Sequence, residues 1–446
     1  ESVDTLCESM NITAHDGYVN WGDKKNIEDL TYNNNDSVSG KRTRLILSTK
    51  GSLGGITAYN GPTGKLEYCA AGDWFLNNKS GDISVGTGGV IGMNESEQDM
   101  KYLVNRAFVG RQIQKADTNR FAGGIIGNQS NSTMEGWTLS HCVNYGMVYG
   151  YNSHYCGGII GQWTGSGGNI EECRNYGGLQ TTYTAGWVGA SAGIVAQLYH
   201  AYDGNTYNII GCGNFGSIYG QGGQSYTDSN KKDAAANDSA GILGNVTTYR
   251  RAADQAQRFT IQVLDCVNGP GVEIYSASMA SGIVGFFSMD DPDNGQNIGN
   301  ATGNVQLRIE RCRNFSSRLV GKTYAAGIFG DRYGTTGARN TTIKDCYSVN
   351  DKQRKNFPII SVKSNAGSDG ASVKGLNNYF FDDLDGVSSY QTSFSLAEGK
   401  ENAEQSSGTI SRWAYTSGST DLWRAGSDRV YIMRNQTSGR YFAAYL

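Results

Sequence analysis

The sequence predicts an all-β protein, a right-handed parallel β-helix (β-solenoid) of about eight coils with N- and C-terminal caps, and three observations lead there. A short Gly-bounded apolar word recurs along the chain, and a Cys-x-Asn word follows it. Throughout the repeat region no stretch sustains the 3.6-residue apolar period of a helix for three turns, which sets aside the helical solenoids of similar period.

The first word reads GGIT, GGVIG, GGIIG, GGIIG, AGIVA, AGILG, SGIVG and AGIFG. Its glycine falls at Gly55, Gly89, Gly124, Gly158, Gly193, Gly241, Gly282 and Gly327, with spacings of 34, 35, 34, 35, 48, 41 and 45. The early copies keep a tight period, and the later ones carry inserts at 221–238, 246–260 and 287–304. Loops on a rigid solenoid are the usual place for function, so these inserts mark one expected binding face.

The second word places cysteine at Cys69, Cys142, Cys173, Cys212, Cys266, Cys312 and Cys346, with an aliphatic three residues earlier (Leu66, Leu139, Ile170, Ile209, Val263, Ile309, Ile343). Two residues after five of these cysteines stand Asn144, Asn175, Asn214, Asn268 and Asn314. The copy at LVNRAFVG, from Leu103, has no cysteine. Each repeat thus holds three strand-like pieces: the apolar pair, the stretch entering cysteine, and an aliphatic six residues beyond it. Stacking such coils at ~4.8 Å turns equivalent residues into axial ladders. The cysteines are expected to make a ladder of small apolar thiols in a narrow corner, with an inter-rung disulfide or a link from Cys156 to a neighbour as the alternative, and the asparagines a ladder of amides bonded to one another. The glycines are expected to permit left-handed backbone at corners and close approach between coils.

Composition agrees with an exported, Asn/Gly/Tyr-rich surface: 62 of 446 residues are Gly, only 4 are Pro, charged residues make up 18%, and 27 Tyr outnumber 14 Phe. A formal charge of -3 excludes charge-driven nucleic-acid binding, and no apolar run approaches the ~20 residues of a membrane span. The opening ESVDTLCESMNITAHDG has neither a basic start nor an apolar core, so for an exported protein it reads as the mature form. Residues 1–50 and 377–446 lack the repeat words and are more polar, which divides the chain into an N-terminal cap (1–50), β-helix repeats (51–376) and a C-terminal cap (377–446).

These words resemble the Gly-rich GLUG-type repeats of secreted and surface-anchored bacterial proteins, over roughly residues 51–376. The tail is similar to the end of such proteins, with NNYFF at 377–381 and a closing Trp-containing segment, DLWRAGSDRVYIM, although their closing proline and leucine pair is absent. The resemblance implies a bacterial surface or secreted β-solenoid with adhesive or glycan-related roles, and names no reaction.

Candidate sites follow from chemistry. Off-register aromatics, Tyr149, Tyr151, Tyr155, Tyr183 and Trp187, present apolar faces with polar tips suited to sugars or protein partners. Tyr145, Tyr176 and Phe215 share one repeat position and read as a stacked structural ladder. Asp383 and Asp385 in DDLDG are weak calcium candidates without a full EF-hand loop, and no cofactor is implied. No C-x-x-C or HExxH joins the cysteines or the four histidines, and His141 is expected to point outward. The two columns before the ladder cysteines hold no contiguous acidic stack. Twelve N-x-S/T sequons, at Asn11, Asn35, Asn78, Asn94, Asn128, Asn131, Asn237, Asn245, Asn300, Asn314, Asn340 and Asn435, exceed the roughly six or seven expected by chance and leave eukaryotic secretion open. Asn314, in the interior ladder, is a poor acceptor.

The function these features favour is an extracellular, non-enzymatic surface protein, an adhesin or structural stalk that binds a glycan or protein partner. A carbohydrate-active β-helix enzyme, glycosidase or polysaccharide lyase, is the alternative, and a filament or other oligomer subunit the third reading.

Overall fold

The computed structural model describes residues 51–72, 74–78, 85–110, 121–131, 136–151, 155–182, 189–201, 204–221, 237–247, 259–269, 271–277, 279–288, 305–321, 324–330, 339–344 and 346–350. Outside these it describes short strands at 37–38, 41–42, 44–48, 356–357, 360–361, 372–376, 379–382, 411–414, 423–424, 430–435 and 441–445. Every regular element among the described residues is a β-strand.

The third coil shows the plan. Phe121–Gly123 enters sheet I, a bend at Gly124 and Ile125 leads to Ile126–Asn131 in sheet II, and Trp137–Ser140 with Val143–Asn144 forms sheet III. Val148–Tyr151 completes the coil in sheet IV, and Tyr155–Gly157 opens the next by pairing in parallel with Phe121–Gly123. Sheets I and II each stack nine strands and sheet IV stacks eight, all in parallel. The expected parallel solenoid is the observed architecture, but each coil serves four sheets, because the Gly-bounded apolar pair is a bend between two strands and not a strand. Ile125 and Ile126 are both fully buried, and adjacent residues of a regular strand point to opposite faces. A bend between them lets both turn inward.

The ninth strand pair, Asn356–Phe357 and Ile360–Ser361, encloses the word FPII, which lacks the glycine that marks the other eight. Parallel stacking begins at Arg44–Ser48, paired with Trp74–Asn78, and runs on through Tyr379–Asp382 to Ser411–Ala414. Beyond that the strands Trp423–Arg424, Val430–Asn435 and Tyr441–Tyr445 pair antiparallel.

Two apolar clusters fill the coils. One joins Leu139, Ile170, Ile209, Val263 and Ile309 of sheet III to Ile126, Ile160 and Trp163 of sheet II, and contains the buried ladder thiols from Cys142 to Cys346. The other joins Val148, Leu179, Ile218 and Ile274 of sheet IV to Ala122, Cys156 and Ala280 of sheet I. In the first, Trp137, Trp163, Tyr207 and Phe259 run edge to face along the axis, with centroids 5.2, 5.2 and 6.3 Å apart.

The two clusters meet at a waist made by the two sequence words. Asn105, Asn144, Asn175, Asn214, Asn268 and Asn314 are fully buried, and each Nδ2 donates to the next Oδ1 at 2.8, 2.8, 2.9, 2.8 and 2.9 Å. Asn314 ends the file on Ser348 Oγ at 3.0 Å. The bend glycine sits against this file. A Cβ on Gly158 would stand 2.1 Å from Gly193 O and 2.3 Å from Asn175 Cγ, and one on Gly124 2.0 Å from Gly158 O and 2.3 Å from Asn144 Cγ. Real Cβ atoms do not approach so closely, so close approach fixes glycine here. The expectation of left-handed backbone at these glycines is not met; left-handed backbone lies elsewhere in the coil.

Candidate functional site

Left-handed backbone occurs one residue before the ladder cysteines from Cys69 to Cys312, and before Leu103 in the coil that has no cysteine. Tyr68, Tyr102, His141, Glu172, Asp265 and Arg311 have φ between 53° and 56°, and Gly211 stands in the same column at 62°. Such backbone costs a non-glycine residue about 1 kcal/mol or more, and it kinks sheet III in the seven coils from Tyr68 to Arg311. The kink turns the following cysteine inward. Cys266 Sγ donates toward Leu264 O at 3.3 Å and toward Ile209 O in the preceding coil at 3.4 Å, and Cys212, Cys312 and Cys346 repeat the pattern. The eight described cysteines are free thiols. Burial pushes Cys156 far up from the usual thiol range, and burial together with the neighbouring thiols does the same for Cys173 and Cys266.

The same kink turns the preceding side chain outward, which makes a stripe along the axis. At its start Tyr68 stacks on Tyr102 at 4.9 Å and 21°, and Tyr102 on His141 at 5.2 Å and 12°. Lys101 Nζ lies 5.9 Å from the Tyr68 ring and 3.7 Å from Glu67. Further along, Glu172 pairs with Arg174 at 3.1 Å. Arg311 grips both oxygens of Asp265 at 2.7 Å and reaches Glu310 at 3.3 Å, while Arg308 holds Glu310 at 2.7 Å. Those hydrogen bonds donated to Asp265 hold the Arg311 guanidinium above its ordinary range. Asp265 and Glu310 are thus committed to guanidinium groups and not set face to face as an acid and a base.

A second aromatic group lies on sheet IV. Tyr219 stacks on Tyr275 at 5.2 Å and 12°, the Arg318 guanidinium lies 5.3 Å from the Tyr275 ring, and Tyr219 donates to Glu273 at 3.1 Å. Burial, then the Glu273 charge, pushes the Tyr219 phenol up, so it stays protonated. A third file, Tyr145, Tyr176 and Phe215, stacks at 5.3 and 5.1 Å beside the asparagine turn.

The off-register aromatics do not converge. Tyr149 is buried at 6% exposure in sheet IV, so its ring is not presented at the surface. Tyr155 is half-buried in sheet I and stacks on Phe121 at 5.9 Å. Tyr151 ends the strand Val148–Tyr151, paired with Thr182. Tyr183, Trp187, Asp383 and Asp385 lie outside the described residues. Among the described residues no group of three or more His, Cys, Asp or Glu is arranged to hold a metal ion, and no helix is long and apolar enough to cross a membrane.

Sequence reasoning passed over Tyr68 and Tyr102 because it tested their column for acids alone; Tyr68 and His141 in that column were the available signal. It also passed over Asn105, whose place in the amide file is set two residues after Leu103, the residue that pairs with Cys69. No family model, curated protein or solved structure matches this chain.

Proposed function

We propose that this protein is an extracellular β-solenoid of a cell surface, an adhesin or structural stalk whose outer stripe engages a partner. The supporting observation is the unbroken amide file through six successive coils, from Asn105 to Asn314. It commits the polar interior to axial stiffness, which leaves recognition to outward side chains. The resemblance of the repeat words to GLUG-type repeats agrees with this reading.

Between partner classes, the stacking favours a protein. Aromatic recognition of a sugar needs a free ring face. Tyr102 has neighbours on both sides, Tyr68 and His141, and the Tyr275 ring lies between Tyr219 and Arg318. What these files offer is ring edges, hydroxyls and charged tips, the mixture found at protein interfaces. The experiment is a glycan array run beside a panel of cell-surface proteins, with turnover assays on the same polysaccharides. Protein binding that is weakened by Tyr68→Ala and Lys101→Glu, without turnover, supports the proposal; depolymerisation of any polysaccharide sinks it.

A further inference from the structure

The sequon excess acquires a meaning once the asparagines are located. Six of the twelve have described side chains, and all six are buried: Asn78 at 1% exposure, Asn94 at 0%, Asn128 at 5%, Asn131 at 2%, Asn245 at 0% and Asn314 at 0%. Several use Nδ2, the atom that glycosylation modifies, as an interior donor. Asn94 Nδ2 donates to Gln129 at 2.7 Å while Asn94 Oδ1 accepts from Asn60 at 2.7 Å. Asn78 donates to Gly51 O at 3.0 Å, Asn131 to Ser96 O at 3.1 Å, and Asn314 to Ser348 at 3.0 Å. Space is closed as well: a single Cβ on Gly282 would lie 2.6 Å from Asn314 Nδ2. The hydroxyl residues of two sequons, Ser96 at 0% and Ser316 at 3%, are buried beside their asparagines.

We propose that these sequons are ladder residues that must escape modification, so the chain acquires its fold where asparagine-linked oligosaccharide transfer does not reach it. In that transfer the amide nitrogen attacks the anomeric carbon of a lipid-diphosphate-linked sugar. A C–N bond forms, the C–O bond to the diphosphate breaks, and one amide proton passes to a base. The acceptor is the unfolded chain, before burial can protect it. A glycan on Asn94 or Asn314 then takes a donor from the file and brings a bulky polar group to a position with no room, which costs both the hydrogen bond and the packing. At the six described sequons the N-x-S/T pattern arises because amides and small hydroxyls fill the interior of a solenoid. The inference stands apart from the proposed surface role and holds whichever partner the stripe engages.

The test expresses the full chain in a bacterium without the transfer machinery, and in a eukaryotic secretory host with and without an inhibitor of lipid-linked oligosaccharide synthesis. Site occupancy is read by mass spectrometry in the secreted and the retained protein. Bacterial protein should be soluble and protease-resistant. In the eukaryotic host, glycans at the six buried sites should be confined to retained protein, and the inhibitor should raise secreted yield several-fold. Ser316→Ala, which removes the Asn314 acceptor and a buried hydroxyl without a hydrogen-bond partner among the described residues, should melt like the parent from bacteria and lower retention in the secretory host. Secreted, protease-resistant protein with a glycan on Asn94, Asn245 or Asn314 overturns the proposal. So does a secreted yield that the inhibitor leaves unchanged.

Discussion

The waist and the kink of each coil are both repeated structure, yet they constrain sequence in opposite ways. At the waist the eight words all keep glycine, and from Gly55 to Gly282 the Cβ site is filled by the next coil's backbone carbonyl and, from Gly89 to Gly282, by an asparagine side chain. At the kink the backbone repeats just as faithfully, with φ between 53° and 62°, while the residue is Tyr, Tyr, His, Glu, Gly, Asp or Arg. Contact fixes identity; a backbone angle imposed by flanking strands does not. The waist therefore carries stability, and the kink is free to carry surface chemistry.

The largest expected effect lies at the waist. Gly158→Ala places a methyl 2.1 Å from a backbone oxygen that cannot swing away, and overpacking of that kind costs about 3 kcal/mol or more. Gly136→Ala, where nothing lies within 4 Å, is the control and should stay within about 0.5 kcal/mol. Equilibrium denaturation of both reads the difference, and similar midpoints would remove the waist from the account.

Next comes the amide file. Asn175→Ala leaves the Asn144 donor and the Asn214 acceptor without their ladder partner, at about 2 to 4 kcal/mol for two buried polar groups. Urea midpoints for this variant and for Tyr176→Ala, its neighbour on the outer file, would show whether interior amides outweigh stacked exterior rings.

The buried thiol of sheet I gives a pH dependence. Burial raises the Cys156 pKa from the model-compound value of 9.0, so it remains neutral in the folded chain while the unfolded chain ionises. Its contribution is intact below about pH 9 and is lost as pH rises, by about 1.4 kcal/mol per pH unit. Denaturation in reductant from pH 8 to pH 10 should show the fall, and Cys156→Ala should make it shallower.

The smallest effects belong to the kink. Glu172→Gly relieves left-handed strain but loosens the unfolded chain, for a net change within about 0.5 kcal/mol. A β-branched Glu172→Val should cost about 1 to 2 kcal/mol. Equal effects from both variants would mean that the angle at Glu172 is not enforced.

This contrast also explains what the sequence made legible. The bend glycines, ladder cysteines and asparagines were readable because contact holds their identity from coil to coil. Asn105 escaped because Leu103 replaces its cysteine, and the word FPII because proline stands at the place that glycine holds in the other eight. The kink column as a whole shares no residue type, and only its aromatic start, Tyr68 and His141, offered a signal. A second buried amide file, Asn60 to Asn94 to Gln129 at 2.7 and 2.7 Å, was hidden because its register continues as Trp163 and Leu198 instead of amides. The outer stripe follows from the kink geometry, so its aromatic members became a site only when Tyr68, Tyr102 and His141 were seen to fall in one file.

The central claim is that coils stack at a constant rise whatever the length of chain between them. Residues Lys101, Ser140, Glu171, Ile210, Leu264, Glu310 and Lys344 occupy one outward column on successive coils. Spin labels attached through noncanonical residues at Lys101 and at each later position should give electron–electron distances that grow by about 4.8 Å per coil, to about 29 Å at Lys344. The step from Ile210 to Leu264 should match the step from Ser140 to Glu171, although it spans 54 residues and not 31. Distances that follow sequence separation, or that fail to rise steadily along the column, would contradict the solenoid.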